Sequence, residues 1–305
     1  MNRLLVYLSG VAWSTIFGLS FLVTKNGLSA FSPFELLFLR FLLATFLMSM
    51  LARLRFIRLS YRGKPLGVLA LLCLFQPLLY FACETLGLRE TASSTGGLIL
   101  GALPALVALL GALMLKEGLV PRQVAGLCLS LAGVALIVLV GTEASGRSQA
   151  DSLRGVLFLV GALLSAGFYN VYSKRASTWF SPVETTFAMM ATGALVFGLV
   201  ALVERFVNGG PGIFSRATPS AFLSVAYLGI LSSVLAFFLV NLTLAKLKAS
   251  QSAVFGTLTT LVALAAGALL KGEALGPLRL VGSALIILGV WATNSAGDRA
   301  GPGRS

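Results

Sequence analysis

Apolar and polar positions alternate along this chain on the length scale of a lipid bilayer. Apolar runs fall near 4–24, 34–52, 66–86, 93–115, 122–140, 154–174, 183–203, 219–242, 249–270 and 278–295. A bilayer core of roughly 30 Å needs about 20 apolar residues per helix, so each run can cross. The joints between runs are short and carry turn chemistry, as in Asn26-Gly27, Ser32-Pro33, Gly63-Lys64-Pro65, Ser181-Pro182 and Gly276-Pro277. The pattern predicts an all-α integral membrane protein of about ten transmembrane helices. The first run extends to Val23, longer than the apolar core of a signal peptide, so it reads as an uncleaved helix. The polar, Gly-rich stretch 297–305 reads as a disordered cytoplasmic tail.

The runs repeat. Phe31-Ser32-Pro33-Phe34-Glu35 returns as Phe180-Ser181-Pro182-Val183-Glu184 at a shift of 149, which also carries Lys25 onto Lys174. Further on, Leu106 to Glu117 and Pro121 return as Val262 to Glu273 and Pro277 at a shift of 156. That shift also places Gly126 and Gly133 on Gly282 and Gly289. Two matches in the same order indicate an internal duplication. The chain divides into 1–142 and 143–296, with five helices in each. An odd number of helices forces the second half into the opposite orientation. Inverted repeats are the mark of an alternating-access carrier, with substrate bound near the midplane between the halves.

Composition agrees. The chain is 57% hydrophobic and 11% charged, with a mean hydropathy of +0.95, whereas soluble domains are roughly 25% charged. The net charge of +13 sits at span ends and points to lipid headgroups, not nucleic acid, which would need a basic polar domain. One set of joints carries 14 Lys and Arg, the other 8, with Arg40 inside a span. The richer set, including the Arg53–Lys64 loop, should be cytoplasmic, which puts both termini inside. Cys73, Cys83 and Cys128 lie in apolar runs without a C-x-x-C spacing and read as small packing groups. Histidine is absent, so no metal and no cofactor is expected. No H-E-x-x-H, G-x-S-x-G or P-loop motif supports an enzyme.

Few polar residues interrupt the spans, and these are the candidates for chemistry. In the third span Gln76, Tyr80 and Glu84 recur every four residues and share a face, and Pro77 should bend that helix. A carboxylate within a span is costly unless paired or wetted, so this face should line a polar cavity. The alternative puts Glu84 at the headgroup level. In the first span Trp13, Phe17 and Lys25 lie on one stripe, suited to a planar or cationic ligand or simply to helix packing. Arg40 lies about 9 Å inside the second span. Lys25, Arg40 and Glu84 can meet at one depth as an outer gate. In the sixth span Ser165, Tyr169 and Ser173 share one face, with Asn170, Tyr172 and Lys174 nearby. Pro104, which the shift places on Thr260, and Pro77 are candidate hinges. Arg40 falls on Met189 and Glu84 on Val240, so the halves are chemically unequal. Small-residue runs in the fifth and tenth spans permit a homodimer.

These residues resemble the drug/metabolite transporter superfamily, in its ten-span EamA-like branch. In the first half the resemblance rests on four stretches. They are Trp13 with Lys25-Asn26-Gly27-Leu28, Ser32-Pro33 leading to Leu39-Arg40-Phe41, Leu100 to Glu117, and Gly126 to Val138. The second half repeats them through Ser181-Pro182, Ala249 to Glu273 and Gly282 to Val290. Thr260 stands where the second repeat often carries proline. The resemblance implies two inverted five-helix repeats, a pathway among helices 1, 3, 4, 6, 8 and 9, and helices 5 and 10 at the periphery. It also implies carriage of small metabolites such as amino acids, often outward across a bacterial inner membrane. A passive facilitator, a channel or a non-transporting sensor are the alternatives.

Overall fold

The computed structural model describes residues 3–115, 121–143, 152–208, 218–247, 255–272 and 276–297. Lys116-Glu117, Ser250 to Ser252, Glu273 and the tail beyond Gly297 lie outside the described residues. Regular structure among the described residues is helical throughout. The first five helices are α1 Arg3–Gly27, α2 Pro33–Arg53, α3 Leu66–Glu90, α4 Ser93–Met114 and α5 Pro121–Glu143. They are followed by α6 Leu153–Ala176, α7 Pro182–Asn208, α8 Pro219–Lys246, α9 Phe255–Lys271 and α10 Pro277–Gly297. Among the described residues seven of these, α1 to α4 and α6 to α8, are long and apolar enough to span a bilayer. The apolar stretches of α5, α9 and α10 are shorter. Burial is that of a multi-pass membrane protein. Phe46, Leu157, Leu199, Leu223 and Leu269 are more than half exposed, while Arg40, Glu84, Ser232, Ser233 and Asn241 are buried.

Each copy of the repeated motif starts a helix. Ser32 Oγ accepts from Glu35 N while Ser32 N donates to Glu35 Oε2, and Pro33 sets the first turn of α2. Ser181 and Glu184 repeat this capping box at the start of α7. Each cap also reaches the other helix. Ser32 Oγ donates to Glu204 Oε2 near the end of α7 at 2.9 Å. Glu184 accepts Lys64 Nζ at 2.6 Å and Ser60 N at 2.9 Å from the loop after α2. Start meets end twice, so α2 and α7 are antiparallel. α5 and α10 are antiparallel as well, and closer. A Cβ on Gly133 would meet Gly282 O at 2.7 Å, and one on Gly289 would meet Gly126 O at 2.5 Å. The small-residue stripes of these two helices thus face each other within the chain. Corresponding helices of the two halves therefore run in opposite directions.

Two helices depart from regular geometry at corresponding places. In α3 the turns widen over Leu74–Leu79, and Gln76 has φ −147° and ψ 117°, so two helical pieces meet there. Ser165 Oγ of α6 donates to Phe75 O at 2.7 Å and braces the break. In α8 wide turns cover Tyr227–Ala236. The shift of 156 places Gln76-Pro77 on Ser232-Ser233, inside that stretch. α4 also has a joint, with a turn at Gly101 and Ala102 between Ser93–Leu100 and Leu103–Leu115. Pro104 stands in the first turn of the second piece, where its missing N–H costs nothing. Its counterpart Thr260 instead donates to Gly97 O of α4 at 3.0 Å.

Candidate functional site

Where the halves meet, a cavity opens with walls from α1, α3, α4, α6, α8 and α9. It leaves about 80 Å³ for the centres of water-sized spheres. At roughly 10–15 Å³ per water, that is room for several waters or one small solute. Trp13, Phe17, Gln76, Tyr80, Glu84, Tyr169 and Asn170, singled out from the sequence, all lie on this wall. Leu100, Leu103, Phe237, Val240 and Thr259 were not singled out and lie there too. They are apolar or small and look in sequence like any lipid-facing or packing residue.

Phe237 on α8 centres the aromatic part of the wall. Its ring lies 5.0 Å from Phe17, 5.6 Å from Phe81 and 6.4 Å from Tyr169, each edge to face. Trp13 packs on Phe17 at 5.8 Å, and Tyr80 on Phe81 at 4.8 Å. Edge-to-face contacts of this kind fix ring positions. The Tyr169 hydroxyl donates to Asn241 Oδ1 at 2.8 Å, Ser173 Oγ donates to the same oxygen, and Asn241 Nδ2 donates to Thr186 Oγ1. Tyr169 is thereby tied to α7 and α8. Asn170 Nδ2 donates back to Ala166 O.

Two polar atoms on the wall have no protein partner. Glu84 is 3% exposed and lies on the cavity wall. Its Oε1 accepts the Tyr80 hydroxyl at 3.3 Å, while Oε2 is buried and unbonded. Trp13 Nε1 is a buried donor, also unbonded. Buried polar groups are nearly always satisfied, so an unpartnered acceptor and an unpartnered donor on residues of one cavity wall are available to a bound solute or water.

Arg40 and Glu84, expected to meet with Lys25 as an outer gate, make no direct contact with each other. Arg40 is 1% exposed, yet its Nε donates to Ser233 Oγ at 3.1 Å and its Nη2 to Ser232 Oγ at 3.0 Å. Its guanidinium lies 4.4 Å from the Phe81 ring centre and 5.3 Å from that of Phe41. The wide turns of α8 put two hydroxyls side by side in front of it. It remains close enough to Glu84 for the charges to interact, without a contact inside 4.0 Å. Lys25 donates to Thr91 O, just past the end of α3. Lys174 donates to Leu244 O at 2.9 Å and Leu247 O at 2.7 Å, at the end of α8. The shift of 156 places Thr91 on Leu247, so the duplicated lysines cap corresponding helix ends. Neither lines the cavity.

The chain was also compared with known proteins. The model of the EamA-like transporter family matches it twice, over residues 4–139 and 153–295. It is 32% identical over 291 residues to the uncharacterized transporter YcxC of Bacillus subtilis, covering 94% of this chain and 92% of that one. It is 26% identical over 287 residues to a probable amino-acid metabolite efflux pump of Salmonella typhimurium, covering 90% of each. A solved crystal structure superposes with a TM-score of 0.70 at 21% identity, over 99% of this chain and 100% of that one, which speaks to the fold alone.

Proposed function

The chain belongs to the EamA-like transporter family, and on that premise we propose that it is a secondary carrier exporting a small polar metabolite of the amino-acid type. The observation that carries this reading is the cavity. It is ring-walled, lies where oppositely directed halves meet, and is flanked by a helix broken at Gln76. Such breaks are used by carriers to bring polar backbone to a midplane site. Trp13, Phe17 and Tyr80 contact the apolar body of the substrate, and Glu84, Gln76 and Asn170 its polar groups. Alternating access follows from rocking of the halves, with Pro77 and Pro104 beside the joints in α3 and α4 and the Lys25 and Lys174 caps at the helix ends that must part. The protein sits in the cell membrane with both termini cytoplasmic.

Counterflow in proteoliposomes tests this. Vesicles preloaded with an unlabelled amino acid should accelerate uptake of the same labelled compound, which a carrier does and an open pore does not. Uptake that depends only on the gradient, for every preload, would refute the carrier.

A further inference from the structure

The cavity has a charge character that narrows what it can hold. Among the described residues its wall contains one carboxylate, Glu84, and no lysine or arginine. The two cations expected at an outer gate are engaged elsewhere. Arg40 lies behind Phe81, with donors on Ser232 and Ser233, and Lys25 donates to Thr91 O. The same wall carries Glu84, whose Oε2 has no protein partner, and the rings of Trp13, Phe17, Tyr80 and Phe237. A carboxylate flanked by aromatic faces is the recognition chemistry of an organic ammonium, which gains an ion pair from one and cation–π attraction from the others. The donors on the wall are neutral: the fully buried Trp13 Nε1, which has no protein partner, and the amides of Gln76 and Asn170. They can satisfy a carbonyl or hydroxyl, but neutral donors do not supply the opposite charge that a buried carboxylate needs.

From this we infer that the site recognises a small amine through its ammonium at Glu84, and that a free carboxylate on the ligand weakens binding. The inference rests on the carrier reading of the same cavity. It narrows the amino-acid type to molecules whose acid is absent or masked, such as amines, amino alcohols and amino amides. A wall carboxylate with no cation in contact with it accepts a cation, leaves a zwitterion half satisfied and repels an anion.

Equilibrium binding to the purified full chain in detergent tests this with two matched series. The first is 2-phenylethylamine, phenylalanine and 3-phenylpropionate, and the second is isobutylamine, valine and isobutyrate. The amine should bind at least tenfold tighter than the zwitterion in at least one series, with no saturable binding of either acid. Glu84→Gln should abolish amine binding. A zwitterion or acid binding as tightly as its amine overturns the inference. So does the absence of amine binding in both series, or undiminished amine affinity in a folded Glu84→Gln protein. Counterflow separates the two readings. Amino-acid counterflow without amine binding removes this inference and leaves the carrier, while amine binding without any counterflow supports this inference and removes the carrier.

Discussion

Replacing Arg40 and Glu84 together by the residues that the second half carries at the same places, Met189 and Val240, should cost little stability while replacing either alone costs more. Arg40→Met removes two charge-assisted hydrogen bonds, to Ser232 and Ser233, of about 1.5–3 kcal/mol each. It also removes ring attraction of about 0.5–2 kcal/mol at Phe81. Set against these is the desolvation of a fully buried guanidinium, itself several kcal/mol. The freed serine hydroxyls can turn back to carbonyls of their own helix. These terms roughly cancel. What does not cancel is the loss of a positive neighbour by Glu84. Unit charges 4 Å apart attract by about 4 kcal/mol at an effective dielectric of 20. No contact lies within 4.0 Å here, so the coupling is smaller, about 2 kcal/mol.

Arg40→Met alone should therefore destabilise by about 2–3 kcal/mol. Glu84→Val alone should cost a similar amount, because it strands Arg40 and the Tyr80 hydroxyl. The double variant should return to within about 1 kcal/mol of the parent, since the pair is replaced by residues that already pack well in the other half. Unfolding in detergent micelles, run as a double-mutant cycle, measures the coupling. Counterflow of the double variant should be lost although it is folded. Strict additivity, with a coupling below about 0.5 kcal/mol, would refute the electrostatic argument and reduce Arg40 to a hydrogen-bonding strut.

Three further outcomes follow from contacts outside the cavity. Lys25→Met and Lys174→Met each remove a cation from corresponding helix-end carbonyls, so each should lower stability by about 1 kcal/mol, and unequal effects in micelle unfolding would break the proposed equivalence. Gly133→Val drives a branched side chain into Gly282 O and the backbone N of Ile286, and should cost at least about 2 kcal/mol, whereas valine at Gly67, where a Cβ meets nothing, should change unfolding little. Glu184→Ala loses its capping box together with Lys64 and Ser60 and should free the loop after α2 for limited proteolysis, whereas Glu35→Ala, which leaves the Lys64 and Ser60 contacts in place, should not.

Much of this arrangement was legible because membrane burial simplifies sequence. Where most positions are apolar, a polar residue inside a span stands out, and Gln76, Tyr80 and Glu84 at four-residue spacing disclosed their face directly. The opposite orientations of the halves followed from counting helices, and Gly133 and Gly282 stood out through the repeat. The partners of Arg40 did not. Ser232 and Ser233 lie 192 and 193 residues away, and serine in a span commonly bonds its own helix. One signal was present, because applying the shift of 156 to Gln76-Pro77 lands on those two serines. Phe237 was beyond reach. The chain has 21 phenylalanines, and only packing decides which one stands between Phe17, Phe81 and Tyr169.

The placement of symmetry and asymmetry has its own logic. What the halves share is architectural: the capping boxes at Ser32 and Ser181, the lysine caps at Thr91 and Leu247, the glycine seam of α5 and α10, and the widened turns of α3 and α8. These must serve both membrane faces alike if the two halves exchange conformations, because an inverted duplication makes the outward and inward forms approximate images of each other. What the halves do not share includes part of the cavity wall, Glu84 against Val240 and Gln76 against Ser232, and residues beyond it, Arg40 against Met189, Pro77 against Ser233 and Pro104 against Thr260. A symmetric wall would offer a ligand two carboxylates or none. Departure from symmetry leaves a single carboxylate among the described wall residues, with Arg40 set behind Phe81. On the carrier reading proposed above, that carboxylate gives the ligand one charged end to bind and one orientation in which to bind it, while the duplication supplies the motion.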